Sequence, residues 1–234
     1  MTYKTFNVVS ANTKSVDEVR RHFKFHGFKL STKPDFVVSV GGDGTLFFAE
    51  RAYPGIPKLM LRESKKCLKC ENVELELYIN ALKKGKVKTE KHKKLEASFP
   101  VGRKKEKTYC VNDFVLRNFY PTYALRFNIK SGKNIIGEEL IGDGIVVATS
   151  FGATGYFESI TRHKFSRGIG VAFNNLTKPK KHILLNEKSK IEIELLRGEA
   201  VFTADNDPVM YRMQEGARIR IRQSTKEMGL LRLG

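Results

Sequence analysis

The rhythm of apolar and polar positions changes partway along this 234-residue chain. In the first third, short apolar runs alternate with helix-period segments. Thr5 to Ser10 reads as a strand. Ser15 opens a helix with Glu18 at capping-box spacing, Val16, Val19 and Phe23 recur at helical intervals, and Gly27 closes it. Phe36-Val37-Val38-Ser39-Val40 is almost continuously apolar, which suits a strand buried on both faces of a parallel sheet. A helix is expected from Thr45 to about Ala52, a strand from Lys58 to Leu61, and a helix from Asn72 to Lys84, stopped by Gly85.

Beyond Gly85 no long helical period remains. Short β-type segments alternate with Gly, Asn and Asp turns, as at Tyr109 to Leu116, Tyr123 to Ile129, Ile145 to Thr149, Lys190 to Leu196 and Arg218 to Arg222. The expected architecture is an α/β domain over residues 1–84 followed by a β-rich domain over residues 85–234.

Composition narrows the class of partner. A net charge of +18 favours anionic ligands such as nucleic acid or phosphorylated metabolites. Residues 83–107 hold eleven Lys and Arg against three Glu, which reads as a solvated hairpin or a polyanion surface. No apolar stretch approaches the roughly 18 residues that a membrane span needs. The N-terminus lacks a secretory pattern, and three cysteines argue against a disulfide scaffold, so the reducing cytoplasm is the expected location. Cys67-Leu68-Lys69-Cys70 is a C-x-x-C. Cys110 and the scattered His22, His26, His92, His163 and His182 form no obvious second half, so ordinary thiols are expected and no metal ligand is assigned.

Three segments carry candidate chemistry. Gly41-Gly42-Asp43-Gly44-Thr45 follows directly on an apolar strand. Its glycines let a ligand approach the backbone, and N–H groups at a strand-to-helix turn can cradle phosphate. A carboxylate there could take a proton from an attacking hydroxyl or hold Mg²⁺; the structural alternative is a tight turn with Asp43 as helix cap. Neither G-x-x-x-x-G-K-[ST] nor G-x-G-x-x-G occurs, so the Walker and dinucleotide fingerprints are missing. Val111-Asn112-Asp113-Phe114 opens an apolar strand with two polar residues, suited to an adenine edge and ribose hydroxyls or simply to an Asx turn. Gly142-Asp143-Gly144, an apolar strand, and Thr149 to Tyr156 place small hydroxyl residues and a ring together.

Taken together, these segments resemble the NAD kinase family from about Phe36 to Asp207. Gly41 to Thr45 matches its G-G-D-G-T, Asn112-Asp113 falls where Asn-Glu is usual, and Gly142 to Tyr156 follows G-D-G-L-I-x-S-T-P-T-G-S-T-A-Y at the same spacing. Ser150, Phe151, Ala153 and Gly155 stand where that pattern has Pro, Thr, Ser and Ala. The resemblance implies phosphorylation of NAD to NADP by ATP or polyphosphate with Mg²⁺ or another divalent cation. It implies a homo-oligomer, dimer or tetramer, with neither membrane nor nucleic acid as partner. Residue by residue, it implies Asp43 as the catalytic carboxylate near the ribose 2′-hydroxyl, with Gly42, Gly44 and Thr45 shaping the phosphate loop. Asn112 would face adenine, Asp113 the ribose, and Thr154 and Ser159 the adenine side. Asp143 and Gly155 would address the nicotinamide amide, Tyr156 would pack on the ligand, and Asp205 would reach a subunit interface. The family's Asn-x-Gly-x-Leu-Gly-Phe loop is replaced here by the segment from Pro57 to Cys67, which lacks the Asn and both glycines. Two alternatives stay open: a lipid or small-metabolite kinase with a similar glycine loop, and a non-catalytic protein that binds a dinucleotide or nucleic acid.

Overall fold

The computed structural model describes residues 3–65, 67–71, 73–102 and 104–234, and the chain divides into two compact units. The first covers residues up to His92 together with Lys226–Gly234. Strands and helices alternate: β1 (Thr5–Val9), α1 (Thr13–Phe25), β2 (Lys29–Leu30), β3 (Phe36–Gly41), α2 (Asp43–Ala52), β4 (Lys58–Arg62) and α3 (Leu75–Lys83). The strands pair in parallel in the order β2-β1-β3-β4, so β3, the most apolar run, lies inside the sheet. Successive β3 side chains point to opposite faces. Phe36, Val38 and Val40 join a core built with Val19 and Phe23 of α1 and Tyr78, Ile79 and Leu82 of α3. Val37 packs with Val9 and with Ala49 of α2 on the other face. Phe6 and Phe23 stack at 4.9 Å, and Phe28 meets Phe23 edge-on at 5.4 Å, contacts worth about 0.5–1.5 kcal/mol each beyond area burial. The C-terminal end of α2 is tied down by a buried ion pair. Lys58 reaches Glu50 and also donates to the Tyr53 carbonyl at 2.7 Å, while Glu50 accepts the Gly55 N–H at 3.0 Å.

Helix starts differ from the expectation: α2 begins at Asp43, two residues before Thr45. Asn12, not Ser15, caps α1, its side-chain oxygen accepting the Lys14 N–H at 3.1 Å. Ser15 instead donates to Glu63. α3 begins at Leu75, and the expected start at Asn72 lies outside the described residues.

The second unit spans Lys93–Thr225. It contains most of β5 (Val87–Val101), then β6 (Lys104–Cys110), β7 (Asp113–Asn118), β8 (Leu125–Ser131), β9 (Asn134–Gly142) and β10 (Gly144–Thr149). A 3₁₀ turn (Phe151–Thr154) and α4 (Tyr156–Thr161) lead to β11 (Ile169–Asn174), β12 (Ile183–Leu185), β13 (Lys190–Arg197), β14 (Ala200–Ala204), β15 (Tyr211–Met213) and β16 (Arg218–Leu233). One antiparallel sheet runs β12-β11-β10-β7-β14-β15. Facing it, β13 pairs with β8 and with the first half of β16, and β8 pairs with β9. A single core joins them, with Phe114, Ile145, Val147 and Phe202 from one sheet and Phe127, Ile193 and Ile221 from the other. The basic stretch is the β5–β6 hairpin, turned at Gly102 with φ 58°, its Arg103 lying outside the described residues.

The expected strand from Tyr109 to Leu116 is two strands. β6 stops at Cys110 and β7 starts at Asp113, because the Asp205 carboxylate takes the intervening backbone N–H groups. The last strand does not end at Arg222. β16 continues to Leu233, burying Met228, Leu230 and Leu231 in the first unit, where Leu230 pairs with Lys58 of β4. Among the described residues, no helix is long and apolar enough to cross a membrane.

Candidate active site

The glycine turn sits where β3 meets α2. Gly41 has φ 153°, and a Cβ there would lie 2.3 Å from Thr45 Oγ1, so the close return of the helix requires glycine. Gly42 is the N-cap and Asp43 the first helical residue, so the carboxylate does not cap the helix. The Thr45 and Leu46 N–H groups turn back on the Gly42 carbonyl at 3.1 and 3.2 Å. Gly41 to Thr45, with Glu63 and Ser64, line an open cavity of about 510 Å³. A helix N-terminus opening into such a cavity attracts phosphate through its N–H groups and dipole.

The segment after β4 closes on Asp43. Asp43 Oδ1 accepts the Lys69 N–H at 3.2 Å and lies 3.3 Å from Cys67 Sγ. Cys67 and Cys70 are joined in a disulfide, which corrects the expectation of ordinary thiols; Cys70 Sγ lies 3.9 Å from the Gly41 carbonyl oxygen. Arg62 fastens the same segment by donating to the Ser64 and Lys65 carbonyls at 3.1 and 2.6 Å, which orders it without glycines. Burial pulls the Lys69 ammonium below the usual lysine range, and the charge of Asp43 opposes that shift. Sequence reasoning missed Lys69 as a neighbour of Asp43. Its place inside the C-x-x-C was the available signal.

In the second unit, Asp205 organises Asn112 and Asp113. Asp205, at φ 50°, accepts the N–H groups of Val111 at 2.8 Å, Asn112 at 2.7 Å and Asp113 at 3.2 Å, and its own N–H donates to the Asp113 carbonyl at 2.9 Å. Thr149, which the sequence placed in this candidate segment without a role of its own, latches the following turn. Its hydroxyl donates to the Val111 carbonyl at 2.6 Å and accepts the Gly152 N–H at 2.9 Å. A Cβ on Gly152 would sit 2.2 Å from the Asn112 carbonyl oxygen. One on Gly155 would approach Asn112 Nδ2 to 3.2 Å and Asp113 Oδ2 to 3.7 Å. Asn112 Oδ1 is buried with no hydrogen-bond partner. Burial, with the Asp205 charge added, pushes the Asp113 carboxyl up to about 7. Burial also raises Asp205, to about 6, against the three N–H groups that favour its ionised form.

Tyr156 and Ser159 follow on α4. The Tyr156 hydroxyl accepts from Asn174 Nδ2 at 3.2 Å, and the exposed Ser159 donates to the Tyr156 carbonyl at 2.8 Å. Thr154 ends the 3₁₀ turn, half-buried. Asp143 is not brought to this cluster. Asp113 pairs with Ala148, five residues along β10 from Asp143, a span of roughly 16 Å at strand rise. There Asp143 Oδ2 accepts from Asn175 Nδ2 at 3.0 Å.

A glycine turn with one carboxylate at a helix N-terminus, and a second centre offering an unfilled amide acceptor, suit a nucleotide-handling phosphotransferase without a Walker lysine. No family model matches the chain. A curated NAD kinase of Sulfurisphaera tokodaii is 32% identical over 179 residues, covering 72% of this chain and 67% of that protein. The NAD kinase of Wolinella succinogenes is 26% identical over 197 residues, covering 78% and 66%, and that of Chlorobium luteolum 26% over 211 residues, covering 87% and 73%. The chain thus spans about two thirds to three quarters of the length of these relatives. Among solved structures, a yeast NADH kinase complexed with NADH superposes with a TM-score of 0.86 at 14% identity, covering 100% of this chain and 84% of that one. An Archaeoglobus fulgidus NAD kinase in complex with ATP gives 0.76 at 18% identity, covering 98% and 94%. The chain belongs to the NAD kinase family.

Proposed function

We propose that this protein transfers the terminal phosphoryl group of ATP or inorganic polyphosphate to the adenosine-ribose 2′-hydroxyl of NAD, giving NADP. Asn112 carries the reading: its buried, unpartnered Oδ1 is an acceptor suited to the exocyclic amino group of adenine. Asp113 beside it holds its proton up to about pH 7, so it can both donate to and accept from ribose hydroxyls. Gly155, with no side chain, leaves room against Asn112 and Asp113, while Thr154 and Ser159 serve the adenine side and Tyr156 packs on the ligand. Asp143, displaced along β10, serves the nicotinamide end. Asp205 acts through the backbone it holds.

Asp43 orients or deprotonates the attacking hydroxyl, a role worth roughly 10²–10⁴-fold. The first turn of α2, with Gly42, Gly44 and Thr45, receives the donor phosphates, so that positioning and charge neutralisation supply most of the catalysis. The cavity wall offers hard oxygen donors that fit a divalent cation such as Mg²⁺; Glu63 and Asp43 are the carboxylates that would hold it, and it would neutralise phosphate charge. The relatives named NAD kinase, and the solved neighbours complexed with ATP and NADH, favour a dinucleotide acceptor over a lipid. The proposal includes a homo-oligomer, dimer or tetramer, and a cytoplasmic setting.

The test is NADP formation from NAD with Mg²⁺ and either ATP or polyphosphate, read with an NADP-specific dehydrogenase. Asp43→Asn is expected to lower turnover at least about a hundredfold with NAD affinity kept. Unchanged turnover removes Asp43 from its role, and absence of NADP with either donor overturns the activity.

A further inference from the structure

On the first unit, at the C-terminal end of α1, three metal-binding groups converge that the proposed reaction does not use. His22 and His26 stand four residues apart, on one face at the end of the helix, and His26 is its C-cap residue. Glu76 comes from the first turn of α3. His22 Nε2 lies 2.5 Å from Glu76 Oε1, and His26 Nε2 lies 3.5 Å from the same oxygen. All three donor atoms fall within 4.8 Å of one another. The two helices are fixed to each other beneath them, because Val19 and Phe23 of α1 share one core with Tyr78, Ile79 and Leu82 of α3.

We propose that His22, His26 and Glu76 form a zinc site that clamps α1 to α3. Two imidazoles and a carboxylate are a ligand set that Zn²⁺ accepts in tetrahedral geometry, with water in the fourth position. Ligand bonds of about 2.0–2.1 Å place the donor atoms roughly 3.3 Å apart. The three atoms already straddle that spacing, so binding needs Glu76, half exposed, to withdraw by about an ångström. The helix end contributes as well, because the negative end of its dipole favours a cation there. Zinc is preferred over Mg²⁺ because imidazole nitrogen is a poor partner for the harder ion. The site is structural, since none of its three side chains lines the cavity at the glycine turn.

The test uses the full chain without a tag and without nucleotide. Isothermal titration with Zn²⁺ is expected to give one equivalent bound at micromolar affinity or tighter, with a rise in Tm that EDTA reverses. Co²⁺ is expected to show the visible absorption of a tetrahedral site. His22→Ala and His26→Ala should each weaken binding at least about a hundredfold, the upper end of what even indirect ligand changes cost. Glu76→Gln, which can keep a hydrogen bond to His22, should weaken it less. NADP formation without added zinc should be unchanged in all three. The paired variant Cys67→Ser/Cys70→Ser should keep the site. Absence of stoichiometric binding, or binding that survives both histidine variants, reduces the cluster to a surface ion pair and overturns the proposal. Loss of binding in the cysteine variant overturns it in favour of the C-x-x-C.

Discussion

At Gly41 to Thr45, five consecutive residues supply most of a cavity wall, whereas around Asn112 the groups come from segments up to 94 residues apart. The turn is a local object. Its shape follows from glycine at a left-handed φ and from the geometry of a helix start, which chain neighbours impose on one another. The second centre is a tertiary object. One carboxylate from the β14 end takes three backbone N–H groups, and the strand breaks there, between Cys110 and Asp113. Local construction tolerates change elsewhere in the fold. Construction through a buried carboxylate concentrates the risk in one side chain.

Asp205→Ala tests that concentration most severely. It leaves three N–H donors without their acceptor, and a loss of about 3–5 kcal/mol in unfolding free energy is expected by denaturant titration, together with loss of NAD binding. Gly41→Ala is the matching break in the turn. The new methyl group would meet Thr45 Oγ1 at 2.3 Å and force the first turn of α2 to shift, so a smaller loss of about 1–3 kcal/mol is expected, with a clear rise in KM for the phosphoryl donor. Asn112→Ala removes a ligand acceptor and no backbone bond. Its expected signature is an affinity for NAD weakened about tenfold, within the 1–3 kcal/mol of a good base contact, and a Tm within a few degrees of the parent.

The last effect concerns protons. The Asp113 carboxyl titrates near 7 in the folded chain against an ordinary value of 3.8, so the folded state holds the extra proton between these limits. Stability from this group is full below about pH 4 and declines as pH rises through 7. Asp205, raised to about 6, acts in the same direction. Asp113→Asn cannot ionise and relieves Asp205 of a like charge, so Tm of the variant should fall less than that of the parent between pH 5 and pH 8. A parallel fall in both proteins would show that the pair is not the source.

Much of the candidate site was legible before folding because its parts are contiguous. The β3 run and the glycine turn can be read from spacing alone, since burial on both faces demands apolar residues and a left-handed φ demands glycine. The order of the later Asn-Asp, Gly-Asp-Gly and turn segments was legible as a pattern but not as a place. Asp143 lies just before β10 while Asp113 of β7 pairs near the other end of β10, because antiparallel register, which no single segment encodes, sets the distance. The start of α1 was misread because Asn12 and Ser15 are both good caps; in the fold Asn12 caps the Lys14 N–H, and Glu63 engages both side chains from across the chain. Cys67 and Cys70 read as thiols because spacing says nothing about what a loop leans on. Here the loop closes on Asp43 and Gly41.

The sequence by itself determined the alternating α/β start, the β-rich remainder and the place of the glycine turn, because these depend on periodicity and on the conformational reach of glycine. Only the tertiary structure decided that Asp205 interrupts a strand, that Thr149 latches the turn and that His22, His26 and Glu76 meet. Each of these needs groups distant in sequence to approach within hydrogen-bond range, and that proximity is set by how buried faces pack rather than by any local pattern.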